Sequence, residues 1–213
     1  MTTGIPSLQQ PAPETGPLAI DSRSDVFQLN VPNVITLVRT AASVALAAAG
    51  LAQGSMWLIV TAYACYWIGD VLDGLTARLL GQETRFGAVF DIICDRACFS
   101  LAAAGLLVLQ PESVLAGAIL LFQFLTLDTM LSLSFLRWPI LSPNYFEVVH
   151  RGVYRWNWWP PAKVLNTTSL VVVIVAADYP WIGAVLALGI TVIKVVSLRV
   201  VSRLPAPGIP GPR

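Results

Sequence analysis

Between residues 34 and 201 the chain runs in long apolar stretches separated by short polar breaks. Six stretches stand out, at 34–52, 56–80, 86–109, 114–136, 162–177 and 181–201. Each comes near the roughly 20 apolar residues that a bilayer-spanning helix needs. The pattern predicts an all-α integral membrane protein with six transmembrane helices in one bundle. Residues 1–25 carry Pro6, Pro11, Pro13 and Pro17 among polar residues and read as a flexible tail without the basic and apolar regions of a signal peptide. Asp21–Asn30 reads as a short interfacial helix, and Pro32-Asn33 as a break before the first span. Pro205, Pro207, Pro210 and Pro212 mark a second flexible tail over 204–213. The membrane domain is then 26–203.

Composition narrows the class further. Of the 213 residues, 56% are hydrophobic and 12% charged, against about 45–50% and about 25% in soluble domains. A water-soluble globule, a disordered chain and a nucleic-acid-binding protein are excluded. The net charge of +1 gives no field that would recruit polyanions. Six spans use about 120 residues, leaving no separate soluble domain. Cys65, Cys94 and Cys98 fall in apolar stretches and read as buried free thiols. One His and no paired ligand spacing argue against zinc.

The breaks differ in charge. Residues 53–55, 110–113 and 178–180 hold no Lys or Arg. Arg78 and Arg85 flank the second–third connection, Arg137, Arg151, Arg155 and Lys163 the fourth–fifth, and Arg199 ends the sixth stretch, with Arg203 and Arg213 after it. The positive-inside rule puts both termini and these two connections on the cytoplasmic side of a cell membrane. Trp57 and Trp181 fall at the outer interface, and Trp138, Trp156, Trp158 and Trp159 at the inner one, as an aromatic belt requires.

The candidate chemistry is acidic. Asp70 and Asp73 are three apart at the end of the second stretch; Asp91 and Asp95 are four apart at the start of the third. Each pair projects from one helix face, and a short connection makes the two helices antiparallel neighbours. Four carboxylates then converge, and their repulsion calls for cations. Mg²⁺ or Mn²⁺, most simply two ions, suits carboxylate oxygens and substrate phosphates, and two such metals stabilise both oxygens of a phosphoryl transfer. Gly74 with Ala77, and Gly87 on the facing helix, leave a groove for a nucleotide, and Arg78 is placed to meet phosphate charge. Helix capping and membrane-edge solvation account for one Asp at a helix end, but not for four at this spacing in a membrane.

These residues form D-x2-D-G-x2-A-R-x8-G-x3-D-x3-D from Asp70 to Asp95 with every position filled. The run resembles the signature of the CDP-alcohol phosphatidyltransferases. The resemblance implies a six-span enzyme of phospholipid biosynthesis that moves a phosphatidyl group from CDP-diacylglycerol to an alcohol and releases CMP. It implies metal ligation by Asp70, Asp73, Asp91 and Asp95, with Asp95 as general base and Asp91 beside it in catalysis. It implies CDP contacts from Gly74, Ala77, Arg78 and Gly87, and it implies a homodimer. Pro32-Asn33-Val-Ile-Thr36-Leu-Val-Arg39 resembles the opening of the first helix in many members. There Thr36 and Asn33 reach the nucleotide and Arg39 a phosphate; a cap, a backbone-bonded Thr and a snorkelling Arg are the alternative.

For the acceptor the cationic candidates are Arg39, Lys163, Lys194 and Arg137. Lys163 opens the fifth stretch without the usual G-K-x-K-T form, and interfacial snorkelling explains it equally well. Lys194 either takes an acceptor phosphate or pairs with Asp128 as structural glue. His150 reads as a solvated loop residue. The long connection 137–161 reads as a segment lying on the membrane and covering the acceptor site. Glycerol 3-phosphate is the first acceptor expected, as in phosphatidylglycerophosphate synthases. Residues 84–89 and 94–96 resemble inositol-phosphate-using bacterial members, and phosphatidylglycerol stays open. A transporter or channel is the competing class; against it, all four Asp lie at one edge and no ionisable chain continues across. The patch Ala47-Ala48-Ala49-Gly50 would permit a close contact between copies.

Overall fold

A computed structural model describes residues 26–175 and 178–205. The tail 1–25 and residues 206–213 of the second tail lie outside the described residues. Among the described residues every regular element is helical: α1 (Val31–Gln53), α2 (Met56–Leu79), α3 (Arg85–Leu109), α4 (Val114–Gln123), α5 (Thr129–Leu133), α6 (Arg151–Asn157), α7 (Pro160–Val175) and α8 (Pro180–Arg203). Among the described residues, five helices are long and apolar enough to cross a membrane: Val31–Gln53, Met56–Leu79, Arg85–Leu109, Pro111–Arg137 and Pro180–Arg203. This is the architecture of a multi-pass membrane protein. The expected fifth span is the 16-residue α7, about 24 Å long at 1.5 Å per residue, against a hydrocarbon core of about 30 Å. Ala176 and Ala177, its expected last turn, are outside the described residues.

Helix α1 begins three residues earlier than the apolar pattern. Asn30 is the N-cap, its side chain accepting from the Asn33 amide, and Pro32 sits in the first turn, where its missing N–H has no helical partner to lose. Pro32-Asn33 therefore starts the helix rather than breaking the chain. Residues 26–30, the described part of the expected interfacial helix, are not helical.

The buried face of α1 reads Pro32, Asn33, Thr36, Arg39, Ser43, Ala47, Gly50, while Val34, Leu37 and Val38 face outward. Lipid is as apolar as Leu, so large aliphatic side chains gain little by turning inward, and small and polar residues fill the contact instead. Ser43 Oγ donates to Ala62 O of α2 at 2.9 Å. A Cβ on Gly50 would lie 2.8 Å from Ile59 Cδ1. The patch from Ala47 to Gly50 is thus partly consumed inside the chain, with Ala47 fully buried.

Helices α1, α2 and α3 pack on one another, and α4 packs on α8. Between α2 and α3, Gly81 takes a left-handed φ of 61°, which lets the chain reverse within residues 80–84. The Pro111–Arg137 span is continuous but not uniform: a π-helical turn at Phe124–Asp128 separates α4 from α5.

The 137–161 connection differs most from expectation. Trp138, Ile140, Phe146, Val153 and Trp158 are buried together with Ile92, Leu131, Phe135 and Val201 in a second core. Only Trp156 and Trp159 of the four expected belt tryptophans are exposed. Trp138 stacks edge-on to Phe146, which packs on Trp158. His150 is the N-cap of α6, its Nδ1 accepting from the Val153 amide at 3.1 Å, not a free loop residue. Tyr145 donates to Glu83 Oε2 at 2.6 Å, tying this connection to the α2–α3 turn.

Partial burial and the Glu83 carboxylate push the Tyr145 phenol up to about 12. With the folded value above the ordinary one of about 10, the contribution of the Tyr145–Glu83 bond is complete below about 10 and lost as pH rises through about 12. Tyr145→Phe should lower stability by about 1 kcal/mol at neutral pH, read by thermal unfolding in detergent. The difference from wild type should vanish in strongly alkaline buffer.

Candidate active site

Asp70 and Asp73 come from the last turns of α2, and Asp91 and Asp95 from the first turns of α3. All four face Arg39 of α1. Arg39 Nε donates to Asp73 Oδ2 at 2.7 Å. Its Nη2 donates to Asp91 and, at 2.9 Å, to Asp95 Oδ1, and lies 3.9 Å from Asp70 Oδ1. Arg39 is 4% exposed. A guanidinium at the centre offsets part of a repulsion that reaches several kcal/mol per pair at these separations. Its planar fork lets one residue serve several carboxylates. The sequence leaves Arg39 between a phosphate and interfacial snorkelling; the structure gives it the carboxylates.

Two residues that the sequence reading passed over make this possible. A Cβ on Gly69 would lie within 2.6 Å of Arg39 Cβ, so only glycine lets the Arg39 stem cross α2. The Tyr66 ring lies 5.6 Å from the guanidinium carbon, within cation–π range. Thr36 Oγ1 sits 2.7 Å from Asp73 Oδ2 and 3.0 Å from Pro32 O, and its single proton serves one of them. Thr36, Arg39, Asp73 and Gly69 thus form one packed unit.

The four carboxylates do not stand alike. Asp70, Asp91 and Asp95 each offer an oxygen, all within 4.8 Å of one another. Asp73, 4% exposed, is committed to Arg39 and Thr36. Hard oxygen donors in this number fit Mg²⁺ or Mn²⁺ completed by phosphate oxygens, and not a soft or imidazole-seeking metal.

The carboxylates open onto a cavity of about 620 Å³. Among the sequence-predicted residues, Asn33, Thr36, Asp70, Asp73, Gly74, Ala77, Arg78, Gly87, Asp91, Asp95, Lys163 and Lys194 all line it. The glycines serve different ends. A Cβ on Gly74 would meet nothing nearer than the Arg78 guanidinium at 3.6 Å, so Gly74 keeps the cavity open. A Cβ on Gly87 would press on Thr84 Oγ1 at 2.8 Å and Asn33 Oδ1 at 3.1 Å, so Gly87 is required by packing. Asn33 also donates to Gln28 O at 2.6 Å, fixing the segment before α1. Arg137 does not line the cavity: it donates to Val201 O at 3.0 Å and Leu204 O at 3.1 Å, closing the end of α8. The connection supplies Ser142, Pro143, Asn144, Asn157 and Trp158 to the cavity wall.

A second ionic cluster lines the same cavity. Asp128 binds Arg96 Nη2 and Lys194 Nζ, each at 2.6 Å. Arg96 Nε donates to Thr129 Oγ1 at 2.8 Å, and its guanidinium carbon lies 3.9 Å over the Phe124 ring. Of the two readings of Lys194, the pair with Asp128 is the contact present. In the sequence Arg96 stands only within the 94–96 resemblance, with no site role; a charged residue inside an apolar span is the further signal.

Arg39→Met should leave the carboxylates without their cation. The expected loss is about 3–5 kcal/mol, read as thermal unfolding in detergent and recovered in part by added MgCl₂. Gly69→Leu should give a similar loss through displacement of the Arg39 stem.

A family model for CDP-alcohol phosphatidyltransferase matches residues 29–196. The phosphatidylinositol phosphate synthase of Mycolicibacterium smegmatis is 40% identical over 75 residues, 35% of this chain and 34% of that one. The protein of the same name from Mycobacteroides abscessus is 36% identical over 104 residues, 49% of this chain and 46% of that one. The CDP-diacylglycerol--glycerol-3-phosphate 3-phosphatidyltransferase of Cereibacter sphaeroides is 30% identical over 100 residues, 44% of this chain and 45% of that one. The chain thus spans between about a third and a half of the length of these relatives. No solved structure shows significant similarity to it. With the family model covering most of the membrane domain and the Asp70–Asp95 signature complete, the chain belongs to the CDP-alcohol phosphatidyltransferase family.

Proposed function

We propose that the protein transfers the phosphatidyl group of CDP-diacylglycerol to a hydroxyl of a small alcohol and releases CMP. The observation that carries this reading is the convergence of Asp70, Asp91 and Asp95 within 4.8 Å on a cavity that Gly74 keeps open. Asp70, Asp91 and Asp95 would hold divalent cations, two in this reading, with Asp73 oriented behind them by Arg39 and Thr36. When bound, the metal neutralises the diphosphate and acidifies the attacking hydroxyl.

The protein's own groups do the rest. Gly74 and Ala77 leave room for the nucleotide against α2, and Arg78 meets phosphate charge beside them. Asp95 accepts the proton of the acceptor hydroxyl. The hydroxyl oxygen forms a bond to the lipid-bearing phosphorus, the bond from that phosphorus to the CMP oxygen breaks, and CMP leaves with the electron pair. Arg39 holds Asp91 and Asp95 together and yields part of that contact as the substrate charges arrive.

The distribution of Lys and Arg supports a cytoplasmic site and cytoplasmic termini in a cell membrane, with α7 as a sixth span. A homodimer belongs to the same reading and would use a face other than the buried Ala47 and Gly50. The relatives' names leave the acceptor between an inositol phosphate and glycerol 3-phosphate.

Asp95→Asn should reduce CMP release by about 10²–10⁴-fold in a protein that still inserts and purifies; retained turnover would reject Asp95 as the base. Chelation by EDTA should abolish activity, and Mg²⁺ or Mn²⁺ should restore it, measured as CMP formed from CDP-diacylglycerol with excess alcohol.

A further inference from the structure

Part of the cavity lining, referred to as the lobe, carries polar groups that the transfer chemistry leaves unused. Its wall carries the Arg96–Asp128–Lys194 chain. Both cations are committed there, at 2.6 Å to the two oxygens of one carboxylate, and Lys194 is only 2% exposed. Besides Gln82 Oε1 in the α2–α3 connection, two amide oxygens lining the same cavity have no hydrogen-bond partner among the described residues: Gln123 Oε1 and Asn157 Oδ1. Both residues are almost fully buried. The Asn157 amide cannot turn round without loss, because its Nδ2 already donates to Val153 O and Ser197 Oγ at 2.9 Å each.

The π-helical turn at Phe124–Asp128 explains how the lobe is assembled. In an α-helix, residues five apart point in different directions. Bonding of the i to i+5 type stacks them, which brings Gln123 and Asp128 to the same wall. Buried carbonyl oxygens without donors are rare in folded proteins. These two require O–H or N–H groups from whatever fills the lobe. A phosphate dianion has no proton to offer these oxygens, and the two cations of this wall, one in excess over Asp128, are already bound to that carboxylate. The other cations lining the cavity, Arg78 and Lys163, are exposed side chains.

We propose that this lobe is the acceptor subsite and that it takes an uncharged polyhydroxy alcohol, not a phosphorylated one. The inference rests on the transferase reading above. Gln123 and Asn157 accept hydroxyl protons, and Asp128 holds Arg96 and Lys194 away from anions. Arg96 follows Asp95 directly on α3, so an alcohol held in the lobe keeps another hydroxyl beside the general base.

The test uses the purified full-length protein with CDP-diacylglycerol, Mg²⁺ and matched acceptor pairs: glycerol against glycerol 3-phosphate, and myo-inositol against its 1-phosphate. CMP release is measured. The expected result is a kcat/KM for the free alcohol at least about tenfold above its phosphorylated partner in the preferred pair, a difference of about 1.4 kcal/mol. Gln123→Leu should raise KM for that alcohol about tenfold with kcat and the KM for CDP-diacylglycerol near wild type, a split that a merely structural residue would not give. Asp128→Asn should free Lys194 and Arg96 and move the preference toward the phosphorylated member; if that variant does not fold, Gln123→Leu carries the test. Preference of the wild type for the phosphorylated member in both pairs would overturn the proposal while leaving the transferase reading intact. No metal-dependent CMP release with any alcohol would sink both.

Discussion

Everything at the working end of the bundle depends on one guanidinium set among four carboxylates. Helices α2 and α3 could not bring Asp70, Asp73, Asp91 and Asp95 together in a water-poor setting without a cation between them. Helix α1 provides it. This explains why the buried face of α1 is polar at that end and small at the other, and why α2 carries glycine at residue 69, where the Arg39 stem crosses it. The demand for charge compensation fixes the choice of residues, and the residues fix how closely the three helices approach.

The same logic recurs at the second cluster. Asp95 and Arg96 are neighbours on α3, yet they serve opposite clusters: Asp95 faces Arg39, while Arg96 turns to Asp128. The first cluster is acidic with one cation, the second basic with one anion. The cavity runs between them. A site with excess negative charge at one wall and cations already paired to Asp128 at the other suits a substrate whose charge is concentrated at one end. The π-helical turn is the local irregularity that makes the second wall possible, and it interrupts an otherwise uniform span.

What the sequence made legible was what local periodicity controls. The apolar stretches mark α2, α3, the Pro111–Arg137 span and α8 within a few residues, because a bilayer sets their length. The three- and four-residue spacings of the Asp pairs put each pair on one helix face. Features set by tertiary contact were not legible. Trp138 and Trp158 resemble interfacial residues by position, but Phe146 and Val201 bury them. Arg39 resembles a snorkelling or phosphate-binding residue until Gly69 is seen beneath it. Asn33 reads as a cap, whereas Asn30 caps and Asn33 anchors Gln28. Gln123 and Asn157 are unremarkable as letters, since only the cavity gives their missing partners meaning.

The second core has a consequence for biosynthesis. Trp138 Nε1 donates to Pro205 O at 3.1 Å, and Arg137 clasps the carbonyls of Val201 and Leu204. Lys194, the second cation on Asp128, also lies on α8. During translation the ribosome delivers α8 after every other helix described. The nascent chain therefore waits with Asp128 half-compensated and its aromatic cluster uncovered until that helix emerges. Closure of the site thus waits on α8, and a chain terminated before that helix would have no finished pocket.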